Sequence, residues 1–499
     1  MGARRFVPLA DVEPMGGAGT PTISDYGLIG DCRAAALVSR DGSVDWLCWP
    51  RFDSPSSFAR LLDRDRGGYF RIAPTAPAEA RRRYLDNTNV LETTFRTATG
   101  ELRLTDLMPV ASPVERRRFL TPPREILRRI ECVEGEVEVE VQCVPRPDYG
   151  RVMPRLRSRG ALGAWYEFGD LALALRCDLP MALSEDWGSC GGRATLRAGE
   201  SRYASLVAAI GEPAVLPGLG RDAELRVRRT IDWWKAWASR CAFDGQYRDA
   251  VLRSALTLKL MEFAPSGAVV AAPTTSLPER IGGIRNWDYR FCWLRDSSLT
   301  VQALFDLGYQ EEAEAFLSWL LHTTWLSLPE LQVMYDVYGE THLPEHTIDG
   351  LSGFADSAPV RVGNDAHSQL QLDVYGEVID AVHEFTLRGG RLDRGTRRML
   401  KGLGDTVCQQ WSAPDDGIWE ARRDRRQNTY SKVMCWVALD RLCRLNDAGH
   451  VKLPVDRYRR QQAEIRAAIE TRGFDRTRSS YLAALDGDTV DASLLLLSR

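Results

Sequence analysis

The sequence predicts a multidomain β + α chain, an N-terminal antiparallel β-sandwich followed by a helical domain. Three observations carry this. Short apolar runs punctuated by Gly-containing turns recur up to about Pro213, the pattern of antiparallel strands. From Tyr247 onward the apolar residues recur at helical spacing instead. With 499 residues, the chain is long enough for more than one core. The expected layout is a flexible tail over 1–22, a β-sandwich over 23–221, a linker helix over 222–243 and the helical domain over 244–499.

In chain order, Met1 to Thr22 is rich in Gly and Pro and lacks the apolar core of a secretion signal, so it reads as a tail. AAALVSRDGSVDWLCW predicts a hairpin turning at Asp41–Gly42. VLETTFRTATGELRLTDLMPV predicts a second, turning at Thr99–Gly100. Val137, Val139, Val141 and Cys143 alternate with Glu138, Glu140 and Gln142, a strand with one buried and one wet face. Asp222 to Arg240, with Trp233, Trp234 and Trp237, reads as a polar linker helix. Helical periodicity then covers Tyr247–Phe263, Ser297–Leu307, Gln310–Leu321, Ser368–Leu387, Thr396–Trp411, Ser431–Leu445 and Asp456–Thr471. An eighth helix opens at Asp491 in DASLLLLSR. Long Gly-, Pro-, Trp- and Asp-rich loops join several of these helices, which fits an α-toroid with a site where loops converge.

Composition narrows the function. Apolar residues make up 44% and charged residues 27%, ordinary for a globular protein. A net charge of −3 argues against nucleic-acid or anionic-membrane partners. The basic runs Arg81–Arg83, Arg116–Arg118 and Arg422–Arg426 read as solvated faces. No apolar stretch reaches the length needed to span a bilayer. The 11 scattered Cys read as reduced thiols, and the expected compartment is the cytoplasm.

The densest chemistry lies in Ile281–Thr300, IGGIRNWDYRFCWLRDSSLT, where two Trp, a Tyr and a Phe are interleaved with three Arg and two Asp. Aromatic faces stack on sugar rings, and Arg and Asp hold hydroxyls through charge-assisted hydrogen bonds. The alternatives are a Trp-rich core and, for Asp296, a helix cap. Two metal-like patterns are read as structural. HLPEH (His342–His346) has a helix-breaking residue, Pro344, at its centre and so cannot put both His on one helical face. Asp486, Asp488 and Asp491 lack the downstream Glu of a calcium loop, and a helix cap is the expected role there. No metal and no cofactor are expected.

TTSLPE (Thr274–Glu279) followed by GGIRNWDYRFCWLRDSS resembles glycoside hydrolase family 15, the group of glucoamylases, glucodextranases and bacterial trehalases. The resemblance runs from about Ile23 to the last residue. It implies an (α/α)6 barrel for the helical domain and a small carbohydrate as the partner. In DGIWE (Asp416–Glu420), Glu420 matches the family's general acid, beside Trp419. A Glu next to an indole is poorly solvated and holds its proton more tightly. The alternative is a loop Glu paired with Arg422 or Arg423. Tyr289, Trp293, Arg295 and Asp296 match the subsite of the departing glucosyl unit, with Arg295 and Asp296 clamping outer hydroxyls. PVRVGNDAHSQLQLDVYGE (Pro359–Glu377) is a further marker, with Arg361 and Asn364 as pocket contacts or, alternatively, parts of a loop leading into a core helix. Glucoamylases carry a second Glu after the acid, whereas this chain has Ala421, which favours the trehalase-like branch.

Barrels of this type need about twelve helices, and the periodicity from Tyr247 supplies about seven. The expectation is therefore an incomplete barrel, with the family's general base beyond Arg499 and the given chain inactive as a hydrolase. A disaccharide phosphorylase of related architecture and a non-catalytic sugar-binding fragment stay open. Nothing in the sequence signals an oligomeric state.

Overall fold

The computed structural model describes residues 21–498 apart from 120, 185–187, 326, 328, 329 and 423. All but the last two residues of the expected tail lie outside this set. The chain forms two compact units. One comprises the residues up to Glu262 together with Ala272–Arg290 and Thr347–Val362, and the other comprises Phe263–Ala271, Phe291–His346 and Gly363–Arg499.

The first unit is built on a 20-residue strand, Glu125–Val144. Its first half pairs with Gly100–Leu107 and Ser201–Ile210. Its second half pairs with Tyr69–Pro74 and Ser189–Arg197, so one strand serves both layers. Both expected hairpins form, Ala35–Ser39 with Ser43–Cys48 and Leu91–Arg96 with Gly100–Leu107. Gly42 sits in the first turn at φ +76°, where an added Cβ would come within 2.2 Å of the Ile72 carbonyl oxygen. Val137, Val139, Val141 and Cys143 face the core as their alternation predicts. The opposite face is drier than expected, because Glu140 is buried between Arg71 and Arg193. Deeper still, Arg128 and Asp106 pair at 2.7 Å with no solvent exposure. Arg128 also donates to the carbonyls of Phe70 and Gly42 at 2.6 and 2.7 Å, which satisfies a buried charge that would otherwise be costly.

Three of the described helices belong to this unit. The sequence pattern predicts no helix at α1 (Pro113–Arg118), yet Ser112 and Glu115 form a reciprocal capping box there. α2 (Arg221–Ala238) forms over the stretch expected to be helical, Asp222–Arg240. It is packed rather than free: Trp234 and Trp237 are buried, and Arg226 pairs with Glu125 at 3.1 Å. α3 (Arg248–Met261) lies against the loop before Leu91, where Asn89 donates to the Leu256 carbonyl and Arg253 to that of Thr88.

The second unit is helical. α4 (Leu294–Asp306), α6 (Asp373–Leu387) and α8 (Thr429–Asp447) pack side by side. α5 (Gln310–Trp325) covers α4, while α7 (Arg394–Gln410) and α9 (Val455–Arg472) cover α8. Burial follows this order: α6 and α8 are buried along most of their length, whereas α9 buries only Tyr458, Ile465 and Ile469. An inner row backed by an outer row is how an (α/α) barrel covers its apolar surface. Gly376 lets α6 approach α8, since a Cβ there would meet the Met434 carbonyl oxygen at 2.4 Å. The expected eighth helix opens as a 3-10 segment, Ala492–Ser498, and the Asp491 carboxylate accepts the Ser493 amide at 2.7 Å. Among the described residues no helix is long and apolar enough to cross a membrane.

Candidate active site

The N-terminal ends of the inner helices α4, α6 and α8 supply one cluster within the second unit. Helix N-termini carry partial positive charge, so acidic groups collect there at lower cost. Arg295 and Asp296 lie in the first turn of α4, which begins three residues earlier than expected. Trp293 is the N-cap position and makes no capping bond through its side chain, and Asp296 sits inside the helix rather than capping it.

Glu420, in the loop between α7 and α8, is the centre of the cluster. The buried Trp293 donates its indole Nε1–H to Glu420 Oε1 at 2.6 Å. Arg295 Nη2 stands 3.5 Å from the same oxygen and 3.0 Å from Asp296 Oδ2. Arg295 Nη1 donates to Gln371 Oε1 at 3.2 Å and to the Ile418 carbonyl at 3.3 Å. Gln369 donates to the Glu420 carbonyl. Glu420 has φ +53°, a left-handed conformation that a non-glycine residue adopts at a cost, so the surrounding contacts fix its backbone as well as its carboxyl. Burial pushes the Glu420 carboxyl above its usual range, against the opposing pull of Arg295 and the hydrogen bonds from Trp293 and Gln371.

Behind Arg295 lie two acids that the sequence pattern did not single out. Asp373 is fully buried, 3.9 Å from Arg295 Nη1, and among the described residues its carboxylate oxygens have no hydrogen-bond donor beyond its own amide. One turn on, buried Glu377 accepts the Tyr430 hydroxyl at 2.6 Å. Burial raises Asp373 to about 6 and Glu377 to about 7. Acids spaced i, i+4 among the apolar residues of the first turns of α6 were the available signal, since that spacing puts both on one face. By contrast Asp415, also buried, is engaged by the Ser431 hydroxyl, the Leu372 amide and Asn428.

The remaining expected residues are more dispersed. The indole that holds Glu420 is Trp293, not its chain neighbour: Trp419 is exposed and donates to Asp491 at 2.8 Å. Arg422 pairs with Glu345 rather than with Glu420, and Arg423 lies outside the described residues. Asn364, in the second unit, caps a short 3-10 turn by accepting the Ala366 amide. Arg361 and Tyr289 belong to the first unit. There Arg361 stacks on Trp287 and donates to the Ile284 carbonyl, and Tyr289 is partly exposed. Residues 341–345 are not helical, so His342 and His346 do not share the helical face that the HLPEH pattern requires.

A protonatable carboxyl held between an indole N–H and a guanidinium, with a second acid on the same guanidinium, is a group able to give or take a proton. The comparisons with known proteins define the class of protein. The family described as glycosyl hydrolases family 15 matches residues 245–499, and the one described as trehalase-like, N-terminal, matches residues 13–162. The chain is 36% identical over 496 residues to a trehalase of Mycolicibacterium smegmatis, covering 95% of this chain and 74% of that protein. It is 33% identical to a trehalase of Thermoplasma volcanium, covering 96% of this chain and 75% of that one. A crystal structure of a bacterial glucoamylase complexed with acarbose aligns over 98% of this chain and 74% of its own, with TM-score 0.64 and 11% identity, which shows the shared fold.

The chain therefore belongs to glycoside hydrolase family 15, in its trehalase-like group. Its fold class is the one expected, an N-terminal antiparallel β domain followed by a helical domain of the (α/α)6 type.

Proposed function

We propose that this chain hydrolyses the α-glucosidic bond of trehalose or short α-glucans with inversion, and that Glu420 is the general acid. The observation that carries the reading is the Trp293–Glu420 hydrogen bond at 2.6 Å, at a site whose burial raises the carboxyl. A carboxyl kept protonated can donate to the glycosidic oxygen as the bond breaks. Arg295 and Asp296, locked to each other, present a donor and an acceptor to the hydroxyls of the departing glucosyl unit. The exposed face of Trp419 suits stacking on a sugar ring, and Asn364 is proposed as a further substrate contact. Inversion also requires a second carboxylate roughly 6.5–9.5 Å from the acid, with a water between them. The trehalase relatives support trehalose as the substrate.

The test is the anomer first released from trehalose, followed by NMR. Inversion yields α- and β-glucose in equal amounts at early times. Release of α-glucose alone contradicts inversion. Turnover only with phosphate, yielding glucose 1-phosphate, contradicts hydrolysis and favours a phosphorylase.

A further inference from the structure

The segment that leads into α6 holds the loop carrying Glu420. The Leu370 amide donates to Asp416 Oδ2 and the Asp416 amide to the Leu370 carbonyl, both at 2.8 Å. The Leu372 amide donates to Asp415 Oδ2 at 3.1 Å, and Gln369 Nε2 donates to the Glu420 carbonyl at 3.3 Å. Among these contacts Gln371 is buried, with 2% of its surface exposed, and its side chain meets both Arg295 and the Glu420 carboxyl. We propose, on the reading of Glu420 as the general acid, that Gln371 is its positioning residue: it fixes the carboxyl and stabilises the anion left when the proton departs.

The amide has one orientation that suits its neighbours. A guanidinium only donates, so the Gln371 oxygen must face Arg295 Nη1, where it stands at 3.2 Å. The amide nitrogen is thereby turned the other way, donating to Gln369 Oε1 at 3.2 Å and acting as a donor toward the Glu420 carboxyl. A glutamate in this place would still satisfy Arg295 but would set a second negative charge against Glu420. A hydrocarbon side chain would satisfy neither.

The donor matters as the proton leaves. Giving its proton to the glycosidic oxygen leaves the Glu420 carboxyl as an anion, at a site where burial opposes charge. Donors already aimed at that carboxyl, the Trp293 indole at 2.6 Å and the Gln371 amide, meet the charge as it forms and need no reorganisation. The charged and titratable groups around them are Arg295 and Asp296 from α4, Asp373 and Glu377 from α6, Tyr430 from α8, and Asp415 and Asp416 from the acid's own loop. Arg295 keeps Asp296, Asp373 and the Ile418 carbonyl when Gln371 is replaced, so the loss of the amide reaches Glu420 mainly through the missing donor.

The test follows the Trp293 indole N–H by NMR across pH in the full chain labelled at tryptophan, its signal assigned by its loss in W293F. Because that N–H is bonded to Glu420, its shift reports ionisation of the carboxyl, and E420Q should abolish the titration. Q371M, which keeps length and bulk, should move the midpoint to higher pH, and Q371E should move it further. Turnover is the second readout: Q371M should lose about tenfold on trehalose and little on α-glucosyl fluoride, whose leaving group needs no proton. A midpoint that stays in place in Q371M, or equal losses on both substrates, would mean a purely structural glutamine and overturn the proposal. Q371E keeps a polar group and the contact with Arg295, so its midpoint decides the matter if Q371M fails to fold. Normal trehalose turnover by E420Q, with the Q371M shift still present, would remove Glu420 as the acid while leaving Gln371 as the residue that sets its ionisation.

Discussion

Asp373 is the residue whose chemistry is least forgiving. A carboxylate without solvent or an external donor is stable only if it keeps its proton or faces a cation, and Arg295 at 3.9 Å is shared with Asp296 and Glu420. Both Asp373 and Glu377 hold protons more tightly in the folded chain than in an unfolded one. Folding therefore takes up protons, and stability falls as pH rises from about 4, the unfolded range, through about 6 and about 7, the folded values. The thermal midpoint should drop between pH 4.5 and 7.5, and D373N should flatten that drop while raising the midpoint at pH 7.5. An unchanged slope in D373N would contradict this assignment. Asp296 makes a different prediction, because it is half exposed and tied to Arg295 rather than capping α4. D296A should weaken glucose binding about ten- to hundred-fold in calorimetry. A fall in melting temperature with unaltered affinity would mean a purely structural acid.

At the scale of elements, the row of inner helices sets the site's precision, because each of α4, α6 and α8 contributes a residue from its first turns. Gly376 is the contact that permits this spacing between α6 and α8. G376A gains helix propensity of about 1 kcal/mol, but its methyl group meets the Met434 backbone, and overpacking costs about 1–3 kcal/mol or more. Net destabilisation in urea unfolding is expected, and equal or greater stability would show that the helices can separate without loss. Helices were the most legible elements in the sequence, because apolar residues at helical spacing survive any change of context. Their starts were less so: α6 begins at Asp373, five residues after the expected Ser368, because Asp365–Ser368 forms a 3-10 turn capped by Asn364. The strand at Val137–Cys143 was legible for its buried face. Its other face was not, since nothing local tells Glu140 that Arg193 lies across the ladder.

For the whole molecule, the β-then-α order was legible from the change of period and the loop-joined helices fitted a toroid, whereas the (α/α)6 form of that toroid came only through family resemblance. The site was half legible. Glu420, Trp293, Arg295 and Asp296 do converge, but Asp373, Glu377 and Tyr430 were hidden in what read as core helix, and Trp419 was credited with the contact that Trp293 makes. Contacts between residues more than 100 positions apart, such as Trp293 with Glu420, are fixed by helix packing and leave no local trace.

The central claim is that Glu420 donates the proton, and it is tested by comparing wild type and E420Q on trehalose and on α-glucosyl fluoride. Fluoride leaves without protonation, so only trehalose needs an acid. The account predicts that E420Q loses about 10²–10⁴-fold on trehalose while keeping most of its turnover on the fluoride. Equal losses on both substrates, or near-normal turnover of trehalose, would contradict it.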